Sequence, residues 1–586
     1  MIIPPRNPLP HCGNFASPDD YISQLLDFAS SSDLFQMLCG GVHVLDFFTT
    51  EPGLFHAVLP PEWHQFLLSC DSMRLLDLLM RDHLDQLDFA PSQQPPESLL
   101  RYIRSVRNLS LRRDCDEKPD LAPLPRAVSV GMKPKKIHEV RCFADFVARL
   151  SGPDVTHIVD LGSGQNYLGR ALASEPYRRR VVAVEGRDNN VAAARELDRL
   201  SGLAVKEKVR RNKKLWNKIL AARGSDAEGD AEALAQAIRQ IDGTDGFDFR
   251  PARELQSLYY GDEAKGTGCV QYVSGRLDSG DLGDVISSID RGHDQGKEKL
   301  GLMAVSIHSC GNLSHHGIRS LVLNPQMRAV AIVGCCYNLM TEKLGPPTYK
   351  HAYLRPSLQA VNGRVVRESE RHDVHGFPMS KAFSTHGGQG IRLNITARMM
   401  ACQAPQNWSH DDSESFFTRH FFRAVLQRIF LDRGVVDRIW HRGPEAETSR
   451  RSSPFDVSTS PVTIGSLRKP CYSSLRTYVR GAVDKLTTST EYKQYADVMR
   501  QRMADMSDAE IDAYEAAYAP RRKELCVIWT LMAFSATVVE ALIVADRWLF
   551  LAEQPDVVEH AWVQTVFEYA QSPRNLVVVG LRRNDA

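Results

Sequence analysis

The segment 159–172, VDLGSGQNYLGRAL, constrains the fold of this chain more than any other. An apolar run ends at Asp160, glycines follow at 162 and 164, and a helical pattern comes next. A second apolar run, RVVAVEGRD at 180–188, follows that helix. Strand, glycine-containing turn, helix and strand in this order form a βαβ unit, which opens a doubly wound sheet. We therefore predict an α/β fold whose ligand crevice lies at the carboxyl ends of parallel strands.

Later apolar segments are expected to continue this sheet. The further predicted strands begin at Cys269, Leu302 and Arg328, with an antiparallel edge strand at 575–582. A polar, charge-rich stretch at 206–266 interrupts the alternation and is interpreted as an insertion. The α/β core, with this insertion, is expected to span residues 128–405.

The regions on either side of the core have helical periodicity. Apolar residues recur at i, i+3 and i+4 from Tyr21 to about residue 111, which predicts a helical N-terminal domain and linker over 1–127. Helices are also predicted over 406–555, around a flexible Ser- and Pro-rich loop at 443–470. Residues 556–586 are predicted to form a helix and the edge strand that completes the core.

One apolar stretch, 525–545, raises the question of a membrane span. Glu540 interrupts it, which leaves fewer than the ~18 clean apolar residues that a spanning helix requires. We therefore expect a buried core helix and no attachment to a membrane.

Composition narrows the setting of the protein. A chain of 586 residues exceeds one compact core, because domains average about 150 residues. The net charge of +1 gives no global field for nucleic acid or acidic membranes, so any such binding must come from a local patch. The 12 scattered cysteines include no CxxC pair, which favours reduced thiols and a cytoplasmic or nuclear location.

Two glycines and two later carboxylates are candidate cofactor ligands. Gly162 and Gly164 let a ligand approach the backbone without obstruction by a Cβ atom. Glu185 ends the second predicted strand, where a carboxylate can accept both hydroxyls of a ribose; a charge favoured by a helix N-terminus is the alternative. Asp278 follows the third strand and can accept an adenine amino group, although a plain surface turn explains it about equally well.

The segments after the fourth and fifth predicted strands, HSCGNL at 308–313 and GCCYNLMT at 334–341, contain candidate acceptor residues. His308 is a candidate base because histidine is the side chain most often used for proton transfer, with a structural histidine bonded to a loop carbonyl as the alternative. Tyr337 and Asn338 are candidates for positioning the acceptor.

The same segments also contain residues of the types that bind metals. The residues considered are His308, Cys310, Cys335 and Cys336. HxC followed by adjacent cysteines is not the usual spacing of structural zinc, and neighbouring cysteines chelate one tetrahedral ion poorly. A cysteine nucleophile paired with His308 lacks an identifiable third member. The sequence therefore predicts no metal.

Five segments resemble, in their order along the chain, those of a methyltransferase-domain family. They are GMKPKKIHEV (131–140), DLGSGQNYLGRAL (160–172), SIHSCGNL (306–313), VGCCYNLMTE (333–342) and GFPMS (376–380). The family includes methyltransferase-like protein 25 and the ribosomal RNA adenine dimethylase domain-containing proteins. Residues 520–582 are also similar to its C-terminal tail.

This resemblance implies a Rossmann-like α/β core that binds S-adenosylmethionine. The residues that match the family's cofactor loop and ribose carboxylate are Asp160, Gly162, Gly164 and Glu185. Those that match its upstream KKxHE segment are Lys136, His138 and Glu139. The chain departs from the family at Asn166, where glycine is usual and a side chain would narrow the cofactor pocket.

The resemblance also implies a reaction, namely in-line transfer of the sulfonium methyl group to an acceptor. RNA or protein is expected as acceptor rather than a small molecule. The segment 206–218, KEKVRRNKKLWNK, offers seven basic residues against one acid, and Trp216 for stacking on a base. A solvated helix or a nuclear-import signal is the alternative for that segment.

Two rival interpretations of the core remain. One is a catalytically degenerate methyltransferase fold kept as a binding module, with Asn166 as the damaged position. The other is a nicotinamide-dependent oxidoreductase, which is disfavoured because a dinucleotide motif would place its third glycine where this chain has Tyr167.

Overall fold

A seven-stranded sheet forms the centre of the protein in the computed structural model. The model describes residues 2–84, 94–115, 121–206, 213–224, 230–241, 258–260, 268–290, 299–344, 372–440 and 457–583. The described strands are β1 (His157–Leu161), β2 (Arg180–Glu185), β3 (Ala204–Lys206), β4 (Leu258–Tyr260), β5 (Cys269–Ser274), β6 (Leu302–Ser309), β7 (Met327–Gly334), β8 (Arg438–Trp440), β9 (Val457–Thr459), β10 (Val558–Thr565) and β11 (Leu576–Arg582). Pairs β3–β4 and β8–β9 form two small separate sheets.

The order of strands in the main sheet is β10-β11-β7-β6-β1-β2-β5. Strands β5, β2, β1, β6 and β7 are parallel, and β11 runs antiparallel to both of its neighbours, β7 and β10. Every residue of β1 is buried, as expected for a central parallel strand that is covered on both faces. Strand order reverses between β1 and β6, so the carboxyl ends of these strands border the crevice typical of doubly wound folds. The predicted Rossmann-like α/β core is therefore present.

The C-terminal region corrects two predictions. Residues 575–582 were expected at the edge of the sheet, but β11 lies inside it, between β7 and β10. The helix expected in 556–586 is wrong, because Val558–Thr565 is strand β10 and pairs with β11 as a hairpin. Val577 and Val579 on β11 are fully buried, so this apolar strand needs a neighbour on both sides, and β10 supplies the second one.

Helices cover both faces of the sheet and extend beyond it. The described α-helices are α1 (Pro18–Ser31), α2 (Asp33–Gln36), α3 (Leu54–Val58), α4 (Pro61–Ser69), α5 (Ser72–Met80), α6 (Glu97–Leu109), α7 (Pro134–Leu150), α8 (Tyr167–Ala173), α9 (Asp188–Ser201), α10 (Lys213–Arg223), α11 (Ala231–Arg239), α12 (Gly283–Ser287), α13 (Leu313–Leu323), α14 (Lys381–Thr385), α15 (Ile395–Ala401), α16 (His410–Asp432), α17 (Leu475–Thr488), α18 (Lys493–Met503), α19 (Asp508–Tyr518) and α20 (Arg522–Ala552).

The long helix α20 joins the N-terminal and C-terminal helices into one core. It packs against α1 and against α3 to α6, so the N-terminal helices share its hydrophobic core instead of enclosing one of their own. The Tyr102 hydroxyl lies 2.7 Å from the Ser535 hydroxyl across this contact. By length and composition α20 could cross a membrane, but 89% of its most apolar window is buried inside the protein. The expected buried core helix is therefore observed.

Two regions that the sequence set apart are only partly described. The insertion at 206–266 contains α10, α11 and β4, and the Tyr260 hydroxyl of β4 donates to Asp198 on α9 at 2.9 Å. This contact joins the insertion to the core. The predicted loop at 443–470 contains β9, and its residues up to 456 lie outside the described part of the chain.

Candidate functional site

The loop after β1, which contains Gly162 and Gly164, leaves space for a ligand at the crevice. Gly162 and Gly164 have φ values of +69° and +58°, a backbone conformation that favours glycine. A Cβ atom at Gly162 would lie 2.7 Å from Cδ2 of Leu313, whereas nothing lies within 4 Å of the corresponding point at Gly164. Gly162 is therefore required by packing, and Gly164 borders open space in which a ligand can contact the backbone.

The carboxylate of Glu185 is held beside this loop. Its Oε2 accepts the Gly164 N–H at 2.8 Å, and its Oε1 accepts the Arg187 N–H at 2.9 Å. Each carboxylate oxygen has a second lone pair, which remains available to a ligand hydroxyl. The structure thus brings together the glycine loop and the carboxylate that the sequence singled out.

Asp160 is the penultimate residue of β1, just before the loop, and is only 4% exposed. Burial raises the pKa of this carboxyl to about 7; the Lys136 ammonium opposes the rise, and the Glu185 carboxylate adds to it. The side chain therefore changes charge near neutral pH, at the base of the crevice.

Asn166 adopts a left-handed conformation with φ +52°, which explains why glycine suits this position. Its side chain is fully buried, packs against Gly169, and donates from Nδ2 to the Tyr272 hydroxyl at 3.0 Å. It lies between α8 and β5 inside the protein. This position gives no support to the expected narrowing of the cofactor pocket by the Asn166 side chain, which stays a prediction.

His308 is paired with a buried carboxylate from α7. Its Nε2 lies 2.9 Å from Oε2 of Glu139, and the Lys136 ammonium lies 2.8 Å from the same oxygen. The other oxygen of Glu139, Oε1, accepts the Ser572 hydroxyl at 2.8 Å. Burial alone would raise the pKa of Glu139, but the hydrogen bonds and charges of His308 and Lys136 outweigh it and lower this pKa to about 2.

This pairing determines which nitrogen of His308 is basic. Glu139 is ionised at neutral pH and can only accept, so His308 Nε2 carries a proton. In the neutral ring the lone pair is then on Nδ1. The His308 side chain is 39% exposed, so an incoming group can reach it. Sequence reasoning singled out both residues but missed their contact; the KKxHE motif was its only signal.

The other acceptor candidates occupy different environments. Tyr337 is 2% exposed, and its hydroxyl donates to Oε1 of Glu540 at 2.7 Å. Glu540 also pairs with Arg113 and Arg574, so Tyr337 belongs to a buried ionic network and its predicted contact with an acceptor is not supported. Asn338 is half-buried, and its Oδ1 lies 3.6 Å from the Cys402 sulfur.

Two further predictions concern residues away from this centre. Asp278 lies in an exposed turn after β5, on the side of the sheet that also carries Glu185. In the basic segment 206–218, residues 207–212 lie outside the described residues. Trp216 is on α10 and is half-buried.

Three cysteine sulfurs meet at the carboxyl ends of β6 and β7. The Sγ atoms are 3.2 Å apart for Cys310 and Cys335, 3.4 Å for Cys310 and Cys336, and 3.7 Å for Cys335 and Cys336. The two strands are parallel neighbours with Ser309 opposite Gly334, which aligns the residues that follow them. The sequence offered these cysteines as metal ligands, but their spacing along the chain argued against a shared ion; it did not indicate that neighbouring parallel strands bring the three sulfurs together.

The motif at 376–380 binds α20. One carboxylate, that of Asp546, accepts the Met379 N–H at 2.7 Å, the Ser380 N–H at 2.9 Å and the Ser380 hydroxyl at 2.7 Å. The GFPMS motif at 376–380 and the C-terminal tail at 520–582, which both resemble the family, are therefore in contact with each other.

The fold and this site define a methyltransferase domain, and the comparisons with known proteins agree. Residues 135–343 match the family model described as a methyltransferase domain. The probable methyltransferase-like protein 25 of Mus musculus is 23% identical over 524 residues, which cover 77% of this chain and 75% of the relative. The protein of the same name from Homo sapiens is 22% identical over 516 residues, with the same coverage. No solved structure matches. The chain therefore contains a methyltransferase domain and resembles these relatives over most of its length.

Proposed function

We propose that the protein uses S-adenosylmethionine as methyl donor and methylates a macromolecular acceptor, with His308 as the base. The observation that carries the proposal is the contact between Glu185 and the Gly164 N–H, beside the open space at Gly164. A nucleoside is the expected ligand there because the carboxylate keeps lone pairs for ribose hydroxyls and the space beside Gly164 is open. Asp160, close to neutrality in pKa, suits the cationic amino group of the amino-acid tail.

In this proposal one side of the crevice binds the cofactor and the other side binds and deprotonates the acceptor. When bound, the cofactor supplies an electrophilic methyl group with a neutral thioether as leaving group. Glu185 and the glycine loop would hold the nucleoside, and alignment would supply most of the rate enhancement. His308 Nδ1 would take the proton of the acceptor, while Glu139 holds the ring and stabilises the imidazolium that forms.

RNA is the favoured acceptor class within this proposal. The support is the segment 206–218, with seven basic residues against one acid, inserted between β2 and β5 of the sheet. Neutralising its lysines and arginines should abolish a salt-dependent affinity for RNA and leave cofactor affinity unchanged. Methylation of protein, but not of RNA, from the protein's own source would move the assignment to a protein acceptor.

Calorimetry with S-adenosylhomocysteine tests the cofactor part of the proposal. Wild-type protein should bind, and Glu185→Gln should bind about 10- to 100-fold more weakly, because a hydrogen bond to a charged group contributes about 1.5–3 kcal/mol. Glutamine can still accept the Gly164 N–H, so the loop should remain folded. The matched control is Glu196→Gln, an exposed carboxylate on α9. Absence of heat with wild-type protein would instead favour a binding module that has lost the cofactor.

A further inference from the structure

The three-cysteine cluster at the ends of β6 and β7 has the geometry of part of a metal site. Its Sγ–Sγ distances are 3.2, 3.4 and 3.7 Å. A tetrahedral zinc ion with Zn–S bonds of about 2.3 Å requires sulfurs about 3.8 Å apart. Cys310, Cys335 and Cys336 therefore lie within tenths of an ångström of three corners of such a tetrahedron.

The backbone around the cluster is fixed by its own hydrogen bonds. The Cys335 N–H donates to the Ser309 carbonyl, and the Gly311 N–H donates to the Cys336 carbonyl, each at 3.3 Å. Gly311 has φ +56°, and a Cβ atom there would collide with Leu339. The sulfurs are thus brought together by a defined loop structure, and little ordering would be needed to bind an ion.

A buried cation that forms no ion pair with any described carboxylate lies against this loop. The Arg547 guanidinium packs against Gly334, lies 5.5 Å from the centre of the Tyr337 ring, and contacts the Met340 sulfur at 3.3 Å. Its Nε has no hydrogen-bond partner, and among the described residues no carboxylate forms an ion pair with it. The carboxylates of Asp546 and Glu540 act on it electrostatically, but Asp546 binds the amides at 379–380 and Glu540 is paired with two other arginines.

A buried guanidinium of this kind requires a nearby negative charge, because an unpaired buried charge is costly. Three protonated thiols would not supply it. Three thiolates on a divalent ion carry a net charge of −1, which matches the single positive charge of Arg547. Thiolate is also the ligand that zinc and other soft ions prefer.

We propose that Cys310, Cys335 and Cys336 bind one zinc ion as thiolates, with Arg547 balancing the charge. Three protein ligands leave a fourth position for water or for a ligand from outside the protein, as in zinc sites that take part in chemistry. The site lies at the same edge of the sheet as His308. The zinc proposal is independent of the proposed methyl donor, since zinc binding can be measured without S-adenosylmethionine.

Metal analysis of the purified full-length chain is the first test. Wild-type protein should contain one zinc ion per chain by inductively coupled plasma mass spectrometry. Each of Cys310→Ser, Cys335→Ser and Cys336→Ser should lose it. The matched control is Cys70→Ser, which changes another half-buried cysteine outside the cluster and should keep its zinc. Zinc that is retained in all three cluster variants would overturn the proposal, as would copper in place of zinc.

Cobalt substitution gives a second readout that does not depend on yield. Co²⁺ added to metal-free wild-type protein should give a thiolate-to-metal charge-transfer band, weaker in every cluster variant. Arg547→Met should weaken zinc affinity about 10- to 100-fold, a typical effect of changing groups that surround metal ligands, and Arg547→Lys should restore part of it. Absence of the band, or a Cys310–Cys335 disulfide in protein purified without reductant, would overturn the proposal.

Discussion

The two sides of the crevice are built in different ways. On the side of β1 and β2, the Glu185 carboxylate is held by N–H groups of Gly164 and of Arg187, both within 21 residues of it. On the side of β6, His308 is held by Glu139, which lies 169 residues away and is in turn bound by Ser572. The first side is local in sequence, whereas the second is assembled from distant elements.

This difference predicts which substitutions should impair cofactor binding and which should impair turnover. A local loop keeps its geometry when remote contacts are lost, because its hydrogen bonds are between near neighbours. A site assembled from distant elements depends on the packing of α7, the C-terminal hairpin and α20. Changes on the β6 side should therefore affect turnover and stability, while changes on the β1 side should affect cofactor affinity.

The largest expected effect is on turnover, and it distinguishes the β6 side of the crevice from the β1 side. Glu139→Gln removes the charge that fixes the protonated nitrogen of His308, so turnover should fall about 10²- to 10⁴-fold while the affinity for S-adenosylhomocysteine stays the same. The measurement is transfer of a labelled methyl group alongside calorimetry. In a His308→Ala background the same substitution should cause no further loss of turnover. A purely structural Glu139 would instead lower both turnover and cofactor affinity.

The next effect is on the stability of the β6 side. Glu540→Gln leaves Arg113 and Arg574 without their buried counter-charge, so the free energy of unfolding should fall by about 3–5 kcal/mol. Urea unfolding measures this, and the exposed Glu196→Gln is the control, expected to change stability by less than about 0.5 kcal/mol. Tyr337→Phe should cost only about 1 kcal/mol, because it removes one hydrogen bond. Equal effects of Glu540→Gln and Glu196→Gln would refute the network's role.

The pH dependence of stability tests the β1 side. Because the pKa of Asp160 is raised to about 7, its neutral form stabilises the fold at low pH, and this contribution is lost as pH rises from about 4 to about 7. Asp160→Asn stays neutral, so it should exceed wild type in stability by up to about 4 kcal/mol at pH 8, with the difference vanishing near pH 4. The same variant should bind S-adenosylmethionine more weakly at pH 8. A difference in stability that does not vary with pH would contradict this assignment.

The smallest effect concerns Asn166. Asn166→Gly removes the hydrogen bond to Tyr272 but suits the left-handed backbone, so stability should change by no more than about 1 kcal/mol. Cofactor affinity should stay within about threefold of wild type, because the side chain does not enter the crevice. A large gain in affinity would show that asparagine does obstruct the cofactor.

The same difference explains what the sequence could and could not predict. The βαβ unit, Gly162, Gly164 and Glu185 follow from a local pattern, and the parallel core strands from their apolar runs. Strand β10 was missed because VEHAWVQT mixes polar and apolar residues, and it is a strand chiefly because β11 needs a partner. The contact of Glu139 with His308 and the cysteine cluster depend on which strands become neighbours, which no spacing rule contains.

Tyr337 illustrates the opposite error. A polar aromatic residue beside a strand end resembles a substrate contact, yet here its hydroxyl is taken by Glu540 from a helix 203 residues away. Only knowledge of where α20 packs could have distinguished the two roles. The local sequence predicted that Tyr337 is important, but it did not distinguish a contact with the acceptor from a role in the buried ionic network.

The position of α20 has a consequence for any shortened version of this protein. A fragment ending at residue 405 would contain the whole family match at 135–343 but would lack α20, β10 and β11. Strand β7 would then present an unpaired apolar edge, which favours aggregation, and Asp546 would no longer bind the amides at 379–380. We therefore expect that a stable unit must include α20 and the β10–β11 hairpin, although the family match ends at residue 343.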